Sequence, residues 1–394
     1  MRINKMPYLE VFIASLRLGL TSFGGPIAHL GYFHEEYVKK RNWISDSKYA
    51  DLVALCQFLP GPASSQVGMA IGYLRAGFLG ALLSWVGFTL PSAVIMIVFG
   101  MGVKTLSLSD HRSWIHSLKV VAVAVVAQAV FLMGKKLCPD AKRAFISIVS
   151  AILLHFYNST VIQIIALISG GIFGLCFFNS FEKTELSDFR ENKNRFSFLY
   201  LIIFLIILIA LPLISKIYPT PTIKIIDSFY RAGSLVFGGG HVVLPLLQTD
   251  LVPSGLISND LFLAGYGIAN AVPGPLFTFS AYLGYVFTIF PNGLIGSLIC
   301  LIAIFLPSFL LILGFLPFWN DLSKNEYVRR AMLGTNAAVV GVLLAALYNP
   351  VIKSAIFEPT DLLLAVAAFV MLEKFKVSSL IVVVLVVIFG ILIY

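Results

Sequence analysis

The triplet Pro-Gly-Pro occurs twice in this chain, at residues 60–62 and 273–275, each time between apolar stretches of helical length. Proline removes backbone hydrogen-bond donors and clashes with the preceding turn, so neither triplet can continue a helix. We expect a helix to resume behind each triplet with Pro62 or Pro275 as its first residue. Its free N–H groups and positive dipole end then face the break, which is an arrangement suited to binding an anion.

The two breaks differ in the side chains around them. Ser64 and Ser65 follow the first break and can donate hydrogen bonds to oxygen, whereas residues 276–278 (Leu-Phe-Thr) after the second are less polar. Gln57 and Asn270 occupy matching positions before the two breaks and can both donate. We therefore predict that the first break makes most of the direct contacts with a ligand. The alternative is that both triplets are packing kinks.

A second repeated pair is Phe-Gly-Gly, at residues 23–25 and 237–239, and an arginine stands six residues before each. Paired glycines let backbones approach closely or open a helix. A charge inside a membrane segment costs about 2.5–3.5 kcal/mol on insertion scales and usually has a partner. Since no acidic residue lies clearly within the core of an apolar segment, we expect Arg17 and Arg231 to lack fixed counter-charges and to attract a mobile anion. Alternatively, both arginines extend to a membrane interface or cap carbonyls.

Other chemistry is poorly represented. His241 directly follows the second glycine-rich motif and could titrate in a cavity. The four cysteines are far apart, and there is no metal-ligand cluster, phosphate loop, or nucleophile with a base. We predict no cofactor, no metal and no enzymatic activity. An ATP-driven pump is disfavoured because the chain has no nucleotide-binding domain.

The composition requires a membrane: 59% of the 394 residues are hydrophobic and only 12% are charged. Apolar runs long enough to cross about 30 Å of hydrocarbon recur along the whole chain. The formal net charge of +9 comes from Lys and Arg in the loops, as cytoplasmic loops require, so nucleic acid is not an expected partner. The fold class predicted is an all-α polytopic membrane protein in the lipid bilayer.

The chain is an internal duplication. Four motifs (Arg-x-Gly…Phe-Gly-Gly, Ile-Ser, Pro-Gly-Pro and Leu-Pro-Ser) recur in the same order at offsets of 213 to 216 residues. We predict a first repeat at 1–178, a cytoplasmic linker at 179–196, a connecting transmembrane helix at 197–216 and a second repeat at 217–394. A single connecting helix inverts the second repeat, as in many secondary transporters.

Loop charges support the inverted arrangement. Residues 39–48 contain four Lys or Arg, whereas the equivalent loop at 250–260 contains none. Inversion predicts this difference because equivalent loops then face opposite sides of the membrane. The assignment works best if the segments with Gly and Pro breaks are re-entrant, and full crossing remains the alternative.

With these motifs in view, the chain resembles the chromate ion transporter family over both halves, as the long-chain, two-repeat type. The motifs that carry the resemblance are FGGP, LPGP and GYLRAGFLGA in the first half and FGGGH and VPGP in the second. The resemblance implies a secondary active transporter that exports chromate from the bacterial cytoplasm, linked to protons, and so confers chromate resistance. It also implies a multi-pass protein of the bacterial inner (plasma) membrane.

Several alternatives stay open. A transporter or exchanger of sulfate or another small anion would have the same fold, because chromate and sulfate share shape and charge. A passive anion channel is a different class, and a membrane-embedded reductase would need a cofactor site. A homodimer is also an open alternative. The predicted substrate-binding residues are Arg17, Phe23, Gly24, Gly25, Pro26, Gln57, Pro60, Gly61, Pro62, Ser64, Ser65, Arg231, Phe237, Gly238, Gly239, Asn270, Pro273, Gly274 and Pro275.

Overall fold

A computed structural model of the chain describes residues 7–23, 25–105, 112–157, 159–178, 197–237, 240–318 and 325–393. Every regular element in these ranges is helical. The first half contains α1 (Pro7–Thr21), α2 (Gly25–Phe33), α3 (Asp46–Phe58), α4 (Ala63–Thr105), α5 (Arg112–Leu137), α6 (Ala141–Phe156) and α7 (Thr160–Phe177). The second half contains α8 (Ser197–Ile217), α9 (Pro221–Leu235), α10 (Val243–Leu251), α11 (Asn259–Ala269), α12 (Phe279–Val286), α13 (Gly293–Phe315), α14 (Glu326–Ala346), α15 (Pro359–Glu373) and α16 (Ser379–Ile393).

Five helical stretches in the described part of the chain are long and apolar enough to cross a membrane. They are Ala63–Thr105, Ser113–Leu137, Ser197–Ile217, Gly293–Phe318 and Glu326–Ala355. Helix α8 is the most lipid-like of them, because only 11% of its most apolar window is buried and side chains such as Ile206 and Ile209 are exposed. An apolar face left outside a helical bundle is expected of a protein whose solvent there is hydrocarbon.

The predicted breaks are present. Helix α3 ends at Phe58 and α4 begins at Ala63, so the first Pro-Gly-Pro separates two helices. The prediction that the second proline opens the next helix is wrong by one residue: the Pro62 carbonyl accepts from the Gln66 N–H, so Pro62 caps α4. Pro275 is likewise an extended cap, with φ −73° and ψ 131°, and a 3₁₀ turn precedes α12. A capping residue contributes its carbonyl to the helix while its own φ and ψ stay non-helical.

Behind each break the chain folds back on itself. Helix α4 reverses at Ala76 and Gly77, which have non-helical backbone angles, and α12 turns into α13 at the equivalent place. The Ser84 hydroxyl donates to the Gly68 carbonyl at 2.8 Å, and the Ser297 hydroxyl donates to the Ala281 carbonyl at 2.7 Å. These two bonds occupy equivalent positions, so both repeats form the same helical hairpin.

The two halves interlock instead of lying side by side. Helix α14 packs against α6 and α7 of the first half, and α5 packs against α15 and α16 of the second. Helix α8 packs against α9 and α13. The predicted linker at 179–196 lies outside the described residues, and the proposed repeat boundaries stay a prediction.

The α7–α14 contact depends on glycine. A Cβ added at Gly170 would lie 2.7 Å from the Gly334 carbonyl oxygen, closer than real Cβ atoms approach. We expect Gly170→Leu to push the helices apart and to destabilise the protein by about 1–3 kcal/mol, as overpacking does. Thermal unfolding in detergent measures this loss. Gly134→Leu on α5 is the control, because no atom lies within 4 Å of its added Cβ, and equal melting temperatures of the two variants would contradict the prediction.

Candidate functional site

Each Pro-Gly-Pro break is hydrogen-bonded to the other half of the protein. The Gly61 N–H donates to the Val236 carbonyl at 2.7 Å, and the Gly274 N–H donates to the Ser22 carbonyl at 2.9 Å. Val236 directly precedes the second Phe-Gly-Gly and Ser22 directly precedes the first. The two kinds of motif therefore meet in reciprocal pairs, and each pair takes one member from each half.

The Leu-Pro-Ser motifs complete these pairs. Gly61 and Gly274 have φ of +121° and +97°, which side chains other than hydrogen disfavour. A Cβ at Gly61 would lie 2.7 Å from the Ser308 hydroxyl oxygen, and one at Gly274 would lie 2.8 Å from that of Ser92. Three of the four duplicated motifs, Phe-Gly-Gly, Pro-Gly-Pro and Leu-Pro-Ser, thus converge on the same two places.

The first break is lined by small polar side chains, as the sequence indicated. Ser64 and Ser65 are buried, and the Ser64 hydroxyl lies 3.3 Å from His29 Nδ1. Within the described ranges the Ser65 hydroxyl has no hydrogen-bond partner. Gln57, in contrast, is exposed and does not join this buried group.

The second break borders a small polar cavity of about 60 Å³. Its polar side chains come from four separate elements, and Gly25 of the first Phe-Gly-Gly and Gly274 of the second Pro-Gly-Pro contribute to its wall. The lining includes Gly25, Gln128, His241, Asn270, Gly274 and Ser379. We call this space the second-break cavity.

Neighbouring groups hold these side chains in place. His241 Nδ1 lies 2.8 Å from the Tyr266 hydroxyl, and the Asn270 amide donates to the Tyr266 carbonyl at 2.7 Å. The Gln128 amide donates to the Glu373 carboxylate at 3.3 Å. Asn270 and Gln128 each keep a second amide hydrogen, and His241 keeps Nε2, for a ligand.

A larger cavity, of about 230 Å³, lies elsewhere between α7, α10, α11 and α14. Its polar lining includes Gln163, Gln248, Asn259 and Asn349. The Gln248 amide donates to Asn259 Oδ1 at 2.5 Å, so part of this lining is already paired. None of the duplicated motifs lines this cavity.

The remaining motif residues are only partly described. Phe23 and Phe237 are half-buried, and Gly25 begins α2 with φ +80°. Gly24, Gly238 and Gly239 lie outside the described residues. Their role in substrate binding stays a prediction, as does that of Pro26.

The expectation that both arginines lack fixed counter-charges is wrong. Arg231 Nη2 lies 2.9 Å from Asp227 Oδ2 and 2.8 Å from Asp250 Oδ2. The Arg17 side chain is 63% exposed, and its Nη1 lies 4.0 Å from Glu36 Oε2. Asp227 is close to Arg231 because the two are one helical turn apart, whereas Asp250 and Glu36 reach their arginines only when separate helices pack. The argument for a mobile anion at either arginine is therefore lost.

These ion pairs are themselves a duplicated feature. An offset of 214 residues relates Arg17 to Arg231 and Glu36 to Asp250. In the first half a second arginine, Arg41, bonds Glu36 at 2.8 Å, whereas in the second half a second carboxylate, Asp227, bonds the arginine. Each half thus pairs an arginine with a carboxylate on a later helical segment. The first half adds a second arginine to this pair, and the second half adds a second carboxylate.

Sequence reasoning missed one buried cation. Lys119 lies on α5, is 6% exposed, and its Nζ lies 2.9 Å from Asp260. A charge inside the apolar segment 114–134 was visible in the sequence, and the membrane-insertion argument applied to Arg17 could have found it.

No group of three or more His, Cys, Asp or Glu side chains that could hold a metal ion occurs among the described residues.

The apolar helices of the two halves interlock, and each Pro-Gly-Pro break bonds a glycine motif of the other half. This arrangement defines a multi-pass membrane protein of the transporter class. The chain belongs to the chromate transporter family, whose family model, described as "Chromate transporter", matches residues 9–175 and 223–392. It is a transporter and not an enzyme.

Three curated relatives show the extent of the similarity. An uncharacterised transporter of Methanocaldococcus jannaschii is 28% identical, with 99% of this chain and 95% of that protein covered. A probable chromate transport protein of Synechococcus elongatus is 28% identical over 84% of this chain and 81% of its own length. The chromate transport protein of Cupriavidus metallidurans is 27% identical over 92% of this chain and 87% of its own length. No solved structure matches the chain.

Proposed function

We propose that this protein is a secondary active transporter that exports chromate from the cytoplasm across the bacterial inner membrane and so confers chromate resistance. Chromate is the substrate that the family implies, and relatives are named as chromate transport proteins. Sulfate, which has the same shape and charge, is the first competitor to consider. Proton coupling is part of the proposal.

The observation that carries the proposal is the reciprocal bonding of the two breaks. Because Gly61 bonds the second half and Gly274 bonds the first, any movement of one half against the other changes both breaks together. A transporter needs such a coupled change to close access on one side while opening it on the other. Inverted repeats, with re-entrant broken segments, are the arrangement that we propose for this movement.

The substrate site in this proposal lies at the breaks. Free N–H groups behind Pro62 and Pro275, the hydroxyls of Ser64 and Ser65, and the amide of Asn270 are the groups offered to a tetrahedral dianion. Irregular backbone at membrane depth is tolerated where it lines a cavity, as it does at the second break. We leave Arg17 and Arg231 out of the site because both face protein carboxylates.

Uptake of radiolabelled chromate into inverted membrane vesicles tests the proposal. We expect concentrative uptake that needs a pH gradient, collapses when the gradient is removed and is inhibited by unlabelled sulfate. Uptake that only equilibrates would identify a passive channel, and uptake insensitive to pH would exclude proton coupling. If only sulfate or another anion is taken up, the substrate is wrong while the transport class stands.

A further inference from the structure

We propose that the second-break cavity is the binding site for the tetrahedral oxyanion, and that Gln128, His241 and Ser379 bind it together with Asn270. The inference rests on the proposed function. It adds Gln128 and Ser379, which the motifs did not indicate, and it gives a binding role to His241, which the sequence marked only as a group that could titrate in a cavity. It places the main contacts at the second break, whereas the residue types favoured the first.

The cavity is assembled from both halves of the protein. Gln128 lies on α5 and Gly25 opens α2, whereas His241, Asn270 and Ser379 come from three elements of the second half. Its wall also includes Gly274, whose N–H bonds the Ser22 carbonyl. A ligand here touches Gly274 of the second Pro-Gly-Pro and Gly25 of the first Phe-Gly-Gly, which are the two motifs of one reciprocal pair. Its binding and release therefore depend directly on how the halves are positioned.

The groups that face the cavity can act as donors to an oxyanion. If the Tyr266 hydroxyl donates to His241 Nδ1, the ring hydrogen sits on Nε2, the nitrogen left for a ligand. Asn270 and Gln128 each have one amide hydrogen beyond the one they give to protein. Ser379 is the first residue of the 15-residue helix α16, so it adds a hydroxyl and the free N–H groups of the first turn.

The site is built without a fixed positive charge. No Lys or Arg stands among the residues that line the second-break cavity. Glu373, the carboxylate that accepts from Gln128, is paired with Lys376 at 3.2 Å. Oriented neutral dipoles in a water-poor site stabilise an anion strongly, because they need no reorganisation. They also leave no uncompensated cation behind when the anion departs, as a transport cycle requires.

Size separates this cavity from the larger one. About 60 Å³ accommodates a few water-sized groups, which is the scale of four oxygens around one central atom. The cavity near Gln163 is several times larger, and its Gln248–Asn259 bond lies within the lining itself.

Equilibrium binding of radiolabelled chromate, and separately sulfate, to the purified full-length protein tests the site. Replacing His241, Asn270 or Gln128 singly with Leu should weaken binding about 10-fold or more, because each change removes a hydrogen bond to a charged ligand. His241→Gln retains a donor and should recover most of the affinity. Gln163→Leu, a buried glutamine in the larger cavity, is the matched control and should leave binding unchanged.

The outcomes separate this site from the proposed function. Normal binding by the folded cavity variants, or loss of binding in Gln163→Leu, would overturn the site while leaving an anion transporter. If a Leu variant fails to fold, the milder variants Ser379→Ala and His241→Gln decide. The site would be overturned if Ser379→Ala binds normally while His241→Gln and Gln163→Leu lose affinity to the same extent. If the wild-type protein binds neither anion, the proposed function fails and the site with it.

Discussion

Gly274→Ala is expected to reduce chromate transport by about 100-fold, the cost of a small misplacement at a reacting or binding site. Gly274 has φ +97°, and a methyl group there would lie 2.8 Å from the Ser92 hydroxyl oxygen and 3.3 Å from the Phe88 carbonyl oxygen. Such a φ costs about 1–3 kcal/mol for any residue with a Cβ. The strain can be relieved only by moving the break, which would lengthen the 2.9 Å bond to the Ser22 carbonyl. Gly61→Ala should act in the same way through Gln66 and Ser308, the two side chains nearest to its added Cβ.

Initial rates of chromate uptake into vesicles, normalised to inserted protein, measure this effect. Gly255→Ala is the control, since Gly255 also has a positive φ, +75°, but no atom lies within 4 Å of its added Cβ. Adding Ser92→Gly to Gly274→Ala removes the nearest obstacle and should restore part of the rate. Wild-type uptake by Gly274→Ala would mean that the geometry of the break is not used in transport.

Arg231→Gln is expected to destabilise the folded protein by about 3 kcal/mol, because it leaves two partly buried carboxylates facing each other without a cation. Asp227 and Asp250 both bond the same Arg231 nitrogen, and their side chains are only 10% and 17% exposed. The equivalent change, Arg17→Gln, should cost no more than about 1 kcal/mol, since that side chain is 63% exposed.

Thermal unfolding of both variants in the same detergent compares the two positions. The double variant Asp227→Asn, Arg231→Gln removes one of the two carboxylates left without a cation, and it should recover part of the stability. Equal losses in the two arginine variants would show that the duplicated ion pairs are equally buried in the membrane-embedded protein, contrary to the structure.

Much of the architecture could be predicted from local chemistry. The apolar composition requires a membrane, and Pro-Gly-Pro cannot be helical, so the ends at Phe58 and Ala63 follow from the sequence. Motif order revealed the duplication, and the same motifs identified the family that the comparison confirms. The predicted first helical residue was wrong by one position, because Pro62 and Pro275 cap the following helical segments and do not open them. Whether a proline caps or opens a helix depends on its own backbone angles.

The membrane class, the helical breaks, the repeated motifs and the transporter family can therefore be read from the sequence, since each depends on residue type or on neighbours along the chain. The tertiary structure alone decided which groups meet across the fold. It paired Gly61 with Val236 and Arg231 with Asp250, and it placed Gln128 and Ser379 beside Asn270. These partners are 19 to 175 residues apart. Spacing along one helix cannot indicate such contacts, because they arise only when separate helices pack together, and Gly61–Val236 and Gln128–Asn270 also require segments from different halves.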